Sequence, residues 1–293
     1  MKKFLLLVVM TFALMLVGTG CIERAKSDRF DTVSDNMSYQ ALSSIKLLES
    51  KDKFSSMSKM NNEETIVVEK EEVEKYLNLM EELLSENGGM HSETLTSDKA
   101  EYSEYIRITT KDLQGNEEVY NLYFNQELIE DHDDDDDDNE IEEEYKITGI
   151  CISGEVTYQL EGKIEKEQDK EEVENESYFK IIQDKDNYII VKEEFEQEKN
   201  ESEHKFKYEI VINGKKVETV SFELEEENGK LSIEVKESKN GSKTSYKFKE
   251  YKEGQNKFIK IQVKEGTTIK NIVVKAIYNT ETNEYVYDYK YVN

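Results

Sequence analysis

"KFKYEIVING", residues 205 to 214, sets Phe206, Tyr208, Ile210 and Ile212 against Lys205, Lys207 and Glu209, then stops on Asn213-Gly214. Apolar side chains at every second position define a strand with one buried face and one wet face. Asn and Gly both tolerate the positive φ that a two-residue hairpin turn demands, so the pair is the strongest short hairpin signal. The next strand must therefore return beside this one, antiparallel.

The same unit recurs. "KLSIEVKES" (230 to 238) sets Leu231, Ile233 and Val235 against Ser232, Glu234 and Lys236, and "EYVYDYKYV" (284 to 292) places Tyr285, Tyr287, Tyr289 and Tyr291 in one phase. Turns at Asn228-Gly229, Asn240-Gly241, Gly254-Gln255, Gly266-Thr267 and Thr282-Asn283 punctuate the runs. Alternation begins near Tyr102 and predicts an up-and-down meander of about 12 or 13 strands. The chain has no proline, so no ladder donor is missing on that account.

Upstream the period is helical. Residues 38 to 50 put Ala41, Leu42, Ile45 and Leu48 on one face, after the capping-type residues Ser34 and Asp35. In residues 69 to 89, Val73, Tyr76, Leu77, Met80, Leu83 and Leu84 recur at helical spacing until Asn87-Gly88-Gly89. The predicted class is α+β, mostly β: two amphipathic N-terminal helices, then a long antiparallel meander. A sheet this long with one apolar face cannot stay flat in water, so it curls into a barrel-like form or folds into two layers. The predicted units are helices plus a first hairpin over 37–129, an acidic loop over 130–143 and the meander over 144–293.

The N-terminus reads in three parts: Lys2 and Lys3, an apolar run from Phe4 to Val17, and the small residues Gly18-Thr19-Gly20 before Cys21. That is the layout of a secretory signal, and the run is too short for a comfortable membrane span. Cys21 after small residues resembles the lipobox of bacterial lipoproteins, although Gly18 stands where leucine or valine is commoner. The resemblance implies cleavage after a signal peptide of 1–20, diacylglyceration of Cys21 and an extracytoplasmic protein held to the membrane by lipid. The polar segment 21–36 then serves as a tether. The body resembles uncharacterised lipoproteins of Gram-positive-type bacteria in composition alone.

Net charge is −27, a surface that repels nucleic acid. The charge is uneven: residues 201 to 293 hold 17 basic and 16 acidic side chains, and 229 to 275 hold 12 lysines against 5 acids. Lys247, Lys249 and Lys260 in that stretch are candidate contacts for an anionic partner, with a cell-wall polymer or a protein as the expected class. The preferred reading of the sequence is nevertheless that these lysines face glutamates on neighbouring strands and solvent. Cys151, in an apolar strand-like run, has no intrachain partner if Cys21 is lipidated and reads as a small buried hydrophobe.

Residues 127 to 144 hold 13 acids in 18 positions, too dense to be paired, so a solvated loop is expected. Asp133, Asp135, Asp137 and Glu144 match four positions of an EF-hand calcium loop and are the candidate metal ligands. Asp138 stands where that loop needs glycine, however, and strands rather than helices flank it. His91, His132 and His204 have no metal-ligand companions in sequence. Ser43 begins an S-x-x-K run but lacks the spacing of serine enzymes and is expected to be an exposed helix residue. No catalytic residues and no cofactor are predicted. The expected function is a non-enzymatic interaction or structural module of the cell envelope; the alternative is a binding protein holding an apolar or amphipathic ligand inside the curled sheet.

Overall fold

The computed structural model describes residues 33–57, 72–80, 89–111, 116–129, 141–168, 172–198, 201–227, 230–239, 241–253, 256–279 and 284–292. The signal segment 1–20, Cys21 and the aspartates at 133, 135 and 137 lie outside them, as do the Asn228-Gly229, Gly254-Gln255 and Thr282-Asn283 turns.

Helix α1 (Val33–Met57) opens the described chain and α2 (residues 72–80) follows. Fourteen strands come next: β1 (His91–Thr96), β2 (Glu104–Lys111), β3 (Glu117–Ile129), β4 (Ile141–Ser153) and β5 (Val156–Gln168). Then come β6 (Glu172–Ile182), β7 (Tyr188–Glu198), β8 (Glu201–Ile212), β9 (Lys215–Glu227) and β10 (Lys230–Lys239). The last are β11 (Ser242–Glu253), β12 (Asn256–Glu265), β13 (Thr268–Asn279) and β14 (Glu284–Val292).

Every strand pairs antiparallel with its sequence neighbour in the order β1 through β14. The alternation from Tyr102 onward thus reads correctly as an up-and-down meander; β1, too polar to show a period, adds one more strand. The Asn213-Gly214 turn is built as its chemistry dictates, with φ of 53° and 69°. Two boundaries move. Helix α1 starts at Val33, inside the segment expected to be tether, and β4 starts at Ile141 rather than 144.

The sheet curls without closing: β1 and β14 are its two edges. The curl follows from what surrounds α1. Ser43 hydrogen-bonds Tyr208 on β8 at 2.9 Å, while Lys46, one turn on, pairs with Glu118 on β3 at 2.8 Å. Strands five places apart in a flat sheet lie ~24 Å from one another, so only a curled sheet brings both to one turn of helix. Residues 36–45 are accordingly buried on every side. This corrects the expectation of an amphipathic α1: Ala41, Leu42, Ile45 and Leu48 are buried, but so are Ser38, Gln40, Ser43 and Ser44. Ser38 and Ser43 tolerate burial because their hydroxyls donate to carbonyls four residues back, at 2.6 and 2.5 Å.

Helix α2 buries Val73, Tyr76, Leu77 and Met80, as the spacing predicts. An aromatic chain joins the two helices through the sheet. Tyr39 meets Phe206 edge-on at 5.0 Å, Phe206 stands opposite Phe222 in register, and Tyr76 meets Phe222 at 6.0 Å and Tyr246 at 4.9 Å. One continuous core results. Burying each such ring contributes about 1.5–3 kcal/mol.

Candidate functional site

The outer, convex face of the sheet divides by charge. On β6 to β10, lysines sit among glutamates and pair with them: Lys192 with Glu176 and Glu194, Lys205 with Glu203, Lys236 with Glu223, at 2.8–3.1 Å. On β11 to β13 the pattern changes. The inward phase is Tyr246, Phe248, Ile259, Ile261, Ile272 and Val274, all buried, which leaves Lys247, Lys249, Lys260, Lys264 and Lys275 on the outer face. The structure therefore gathers all three lysines singled out from the sequence onto one surface and adds Lys264 and Lys275.

Register fixes their layout. Lys249 stands directly opposite Lys260, Lys247 opposite Gln262, and Lys264 opposite Ile269. Lys247 reaches Glu234 on β10 at 3.5 Å. Among the described residues, Lys249, Lys260 and Lys264 form no ion pair. The expectation that the lysines of 229 to 275 face glutamates on neighbouring strands holds for Lys236 and Lys247 and not for Lys249, Lys260 and Lys264. On β8, Lys207 likewise stands opposite a lysine, Lys192. Like charges directly opposite on a sheet are destabilising, so the Lys249–Lys260 pair is a local cost, as is Lys192–Lys207 on β7 and β8. Lys260→Glu is expected to raise stability by about 0.5 kcal/mol, within the range of opposite-charge strand pairs. Urea unfolding at low salt measures the gain, and high salt should erase most of it.

The concave side is the other candidate. Where β6, β7 and β8 pass α1, the Gln40 amide donates to Ser177 Oγ and Glu193 Oε2, both at 2.8 Å, and Ser177 and Glu193 are direct partners in register. His204 Nδ1 lies 3.4 Å from the same carboxylate. All four are buried. A second group sits under α2. The Lys75 ammonium contacts Glu218 at 3.2 Å and Glu237 at 3.5 Å, and the Tyr246 hydroxyl donates to Glu237 at 3.4 Å. Burial is the main cause raising the Glu237 carboxyl above its ordinary range; Lys75 pulls it down and Glu218 pushes it up. The shift in β8–β9 register between Ile210 and Val211 is what sets Glu218 opposite Ile210, in the buried phase.

Such clusters resemble catalytic machinery until their access is considered. The recess beside Gln40, Ser177 and Glu193 has a volume of about 20 Å³, space for a single water. A recess between α2 and β11–β13, lined by Glu72, Tyr246 and Lys270 among others, holds about 80 Å³, against roughly 300–1,000 Å³ for a small-molecule pocket. Both clusters tie a helix to the sheet: Gln40 on α1 bonds Glu193, and Lys75 on α2 pairs with Glu218 and Glu237.

Other sequence candidates fall as follows. Glu144 is in β4, with its carboxylate held by Lys163; its proposed companions at 133, 135 and 137 are outside the described residues. Among the described residues, no group of three or more His, Cys, Asp and Glu side chains is arranged to hold a metal ion. Cys151 is buried, as expected, and burial pushes its thiol up to about 12, with Glu49 adding to the effect. Ser43 is a correction: it is fully buried and bonded to Tyr208, not exposed, because the sheet surrounds the helix on its polar side too.

Sequence reasoning missed Glu193, His204 and Glu237, yet a signal exists. Glu193 continues the buried phase of Ile189 and Val191, and Glu237 that of Ile233 and Val235. A charged residue in the apolar phase of a strand marks a buried network.

The chain matches no protein-family model, no curated protein and no solved structure. No helix among the described residues is long and apolar enough to cross a membrane.

Proposed function

We propose that this chain is a membrane-tethered, extracytoplasmic lipoprotein, attached through Cys21, that acts as a non-enzymatic interaction module of the cell envelope. Its contact surface is the outer face of β11 to β13, and its partner carries negative charge. One observation carries the reading. On a chain of net charge −27, Lys247, Lys249 and Lys260 converge on one exposed face, with two of them directly opposed. Lys249 and Lys260 meet no carboxylate among the described residues, and an anionic partner supplies the missing complement. The alternative of a ligand inside the curl is disfavoured because α1 fills that space.

Two experiments test the reading. In the full chain, Lys247→Glu/Lys249→Glu/Lys260→Glu should lose most of its salt-sensitive retention on isolated envelope while keeping its fold; unchanged retention removes the lysine face as the contact. Cys21→Ser should abolish incorporation of a labelled fatty acid, and persistent labelling would remove the anchor.

A further inference from the structure

The lysine face is not purely polar. Tyr251 on β11 and Phe258 on β12 are opposite in register and stack at 5.3 Å with 13° between ring planes. Lys275 stands opposite Phe258 on the other side, its ammonium 6.0 Å from the ring centroid. Farther along β13, Ile277 at one end and Ile269 at the other are 42 % and 53 % exposed. Alternation puts both on the same outer face as Val273 and the lysines. Large exposed apolar side chains thus flank the lysines on the outer face of three neighbouring strands.

We propose that this face rests on an anionic lipid bilayer, its lysines at the headgroup phosphates and Tyr251, Phe258, Ile269 and Ile277 in the interfacial layer. The proposal rests on the reading that β11 to β13 contact an anionic envelope partner, and it names which one. One feature selects the bilayer over a hydrated anionic polymer. A soluble polyanion offers nothing to Ile269 or Ile277, whereas the membrane interface accepts apolar and aromatic side chains beside basic ones. The glutamate-rich outer face of β6 to β9 is repelled by the same surface, so the charge division fixes which side turns to the membrane.

The test is a lysine footprint on the full-length chain reconstituted with vesicles of phosphatidylcholine, or of phosphatidylcholine rich in phosphatidylglycerol, acetylated and read by mass spectrometry. Lys249 and Lys260 should react about 10-fold more slowly on the anionic vesicles, a difference lost at high salt. Lys207, exposed on the outer face of β8, should react equally on both. Ile269→Ser/Ile277→Ser should weaken the protection while leaving it salt-sensitive; full protection in that variant overturns the interfacial part of the proposal. Equal reactivity of Lys249 and Lys260 on the two vesicles overturns the bilayer assignment. If soluble polyphosphate then protects them, the anionic-contact reading stands and the partner is a polymer. If polyphosphate leaves them reactive too, both fall together.

Discussion

Lys75→Met should cost about 3–5 kcal/mol at pH 8, the usual penalty for breaking a buried ion pair by removing one partner. The side chain of Lys75 touches Glu218 and Glu237 from α2, and both carboxylates are almost wholly inaccessible to solvent. Without the ammonium, two like charges face each other in a place where water cannot screen them. The effect must depend on pH, and its sign follows from Glu237. Its folded-state value lies above the ordinary glutamate range, chiefly through burial. Between the ordinary value, ~4.3, and the raised one, the folded protein binds more protons than the unfolded chain. Stability therefore falls as pH rises through that window. Removing Lys75 takes away the cause that lowers the folded value, so the window widens upward and the slope steepens. Urea unfolding at pH 5 and pH 8 should find the variant closest to the parent at pH 5. Adding Glu237→Gln should recover a large part of the loss at pH 8. A double variant no more stable than Lys75→Met alone would show that lost packing, not uncompensated charge, sets the cost.

Gly149→Ala and Gly162→Ala should each lose about 3 kcal/mol, at the upper end for overpacking. Both glycines lie in the inward phase of neighbouring strands, Gly149 between Ile147 and Cys151 on β4, Gly162 between Leu160 and Ile164 on β5. A Cβ on Gly149 would come to 2.8 Å from the Phe124 Cα and still closer to the Tyr123 carbonyl oxygen. One on Gly162 would meet the Phe179 ring and the Tyr178 carbonyl oxygen. At Gly149 the obstacles are chiefly the backbone of β3; at Gly162 they are the β6 backbone and, just as close, the buried Phe179 ring, and neither can swing aside as an exposed long side chain could. The glycines stand where β4 approaches β3 and β5 approaches β6 closely, and strand glycines commonly mark such approach. Thermal unfolding followed by circular dichroism should show midpoints lower by roughly 6–10 °C. Thr148→Ala, on the outer face beside Gly149, should leave the midpoint within about 2 °C. An unchanged midpoint for Gly149→Ala would mean that the close approach of β3 to β4 does not need glycine.

Much of the fold was legible because alternation and turn chemistry are local. Residues 205 to 214 specify two-sidedness, a tight turn and an antiparallel return without reference to anything distant, and the same unit repeated gives the meander. The lysines at 247, 249 and 260 were legible as a cluster for the same reason: residues two apart on a strand share a face. What escaped was whatever depends on how far the sheet bends. Ser43 looked exposed because α1 has a polar side, and in a flat layered arrangement that side would face water. His204 looked isolated because its partner Glu193 lies on another strand, and only the β7–β8 register and the inward phase place them together. The polar β1 carries no period, and it is a strand only because β2 offers it a ladder.

By itself the sequence determined the class, the strand order, the antiparallel direction, the two helices and the uneven charge, since each depends on neighbours a few residues apart. The tertiary structure alone decided that the sheet wraps α1 without closing, that Gln40, Ser177, Glu193 and His204 meet, and that Lys249 opposes Lys260 beside Tyr251 and Phe258. Those outcomes depend on curvature and cross-strand register, which are set by the packing of many strands around one helix and not by any short stretch of chain.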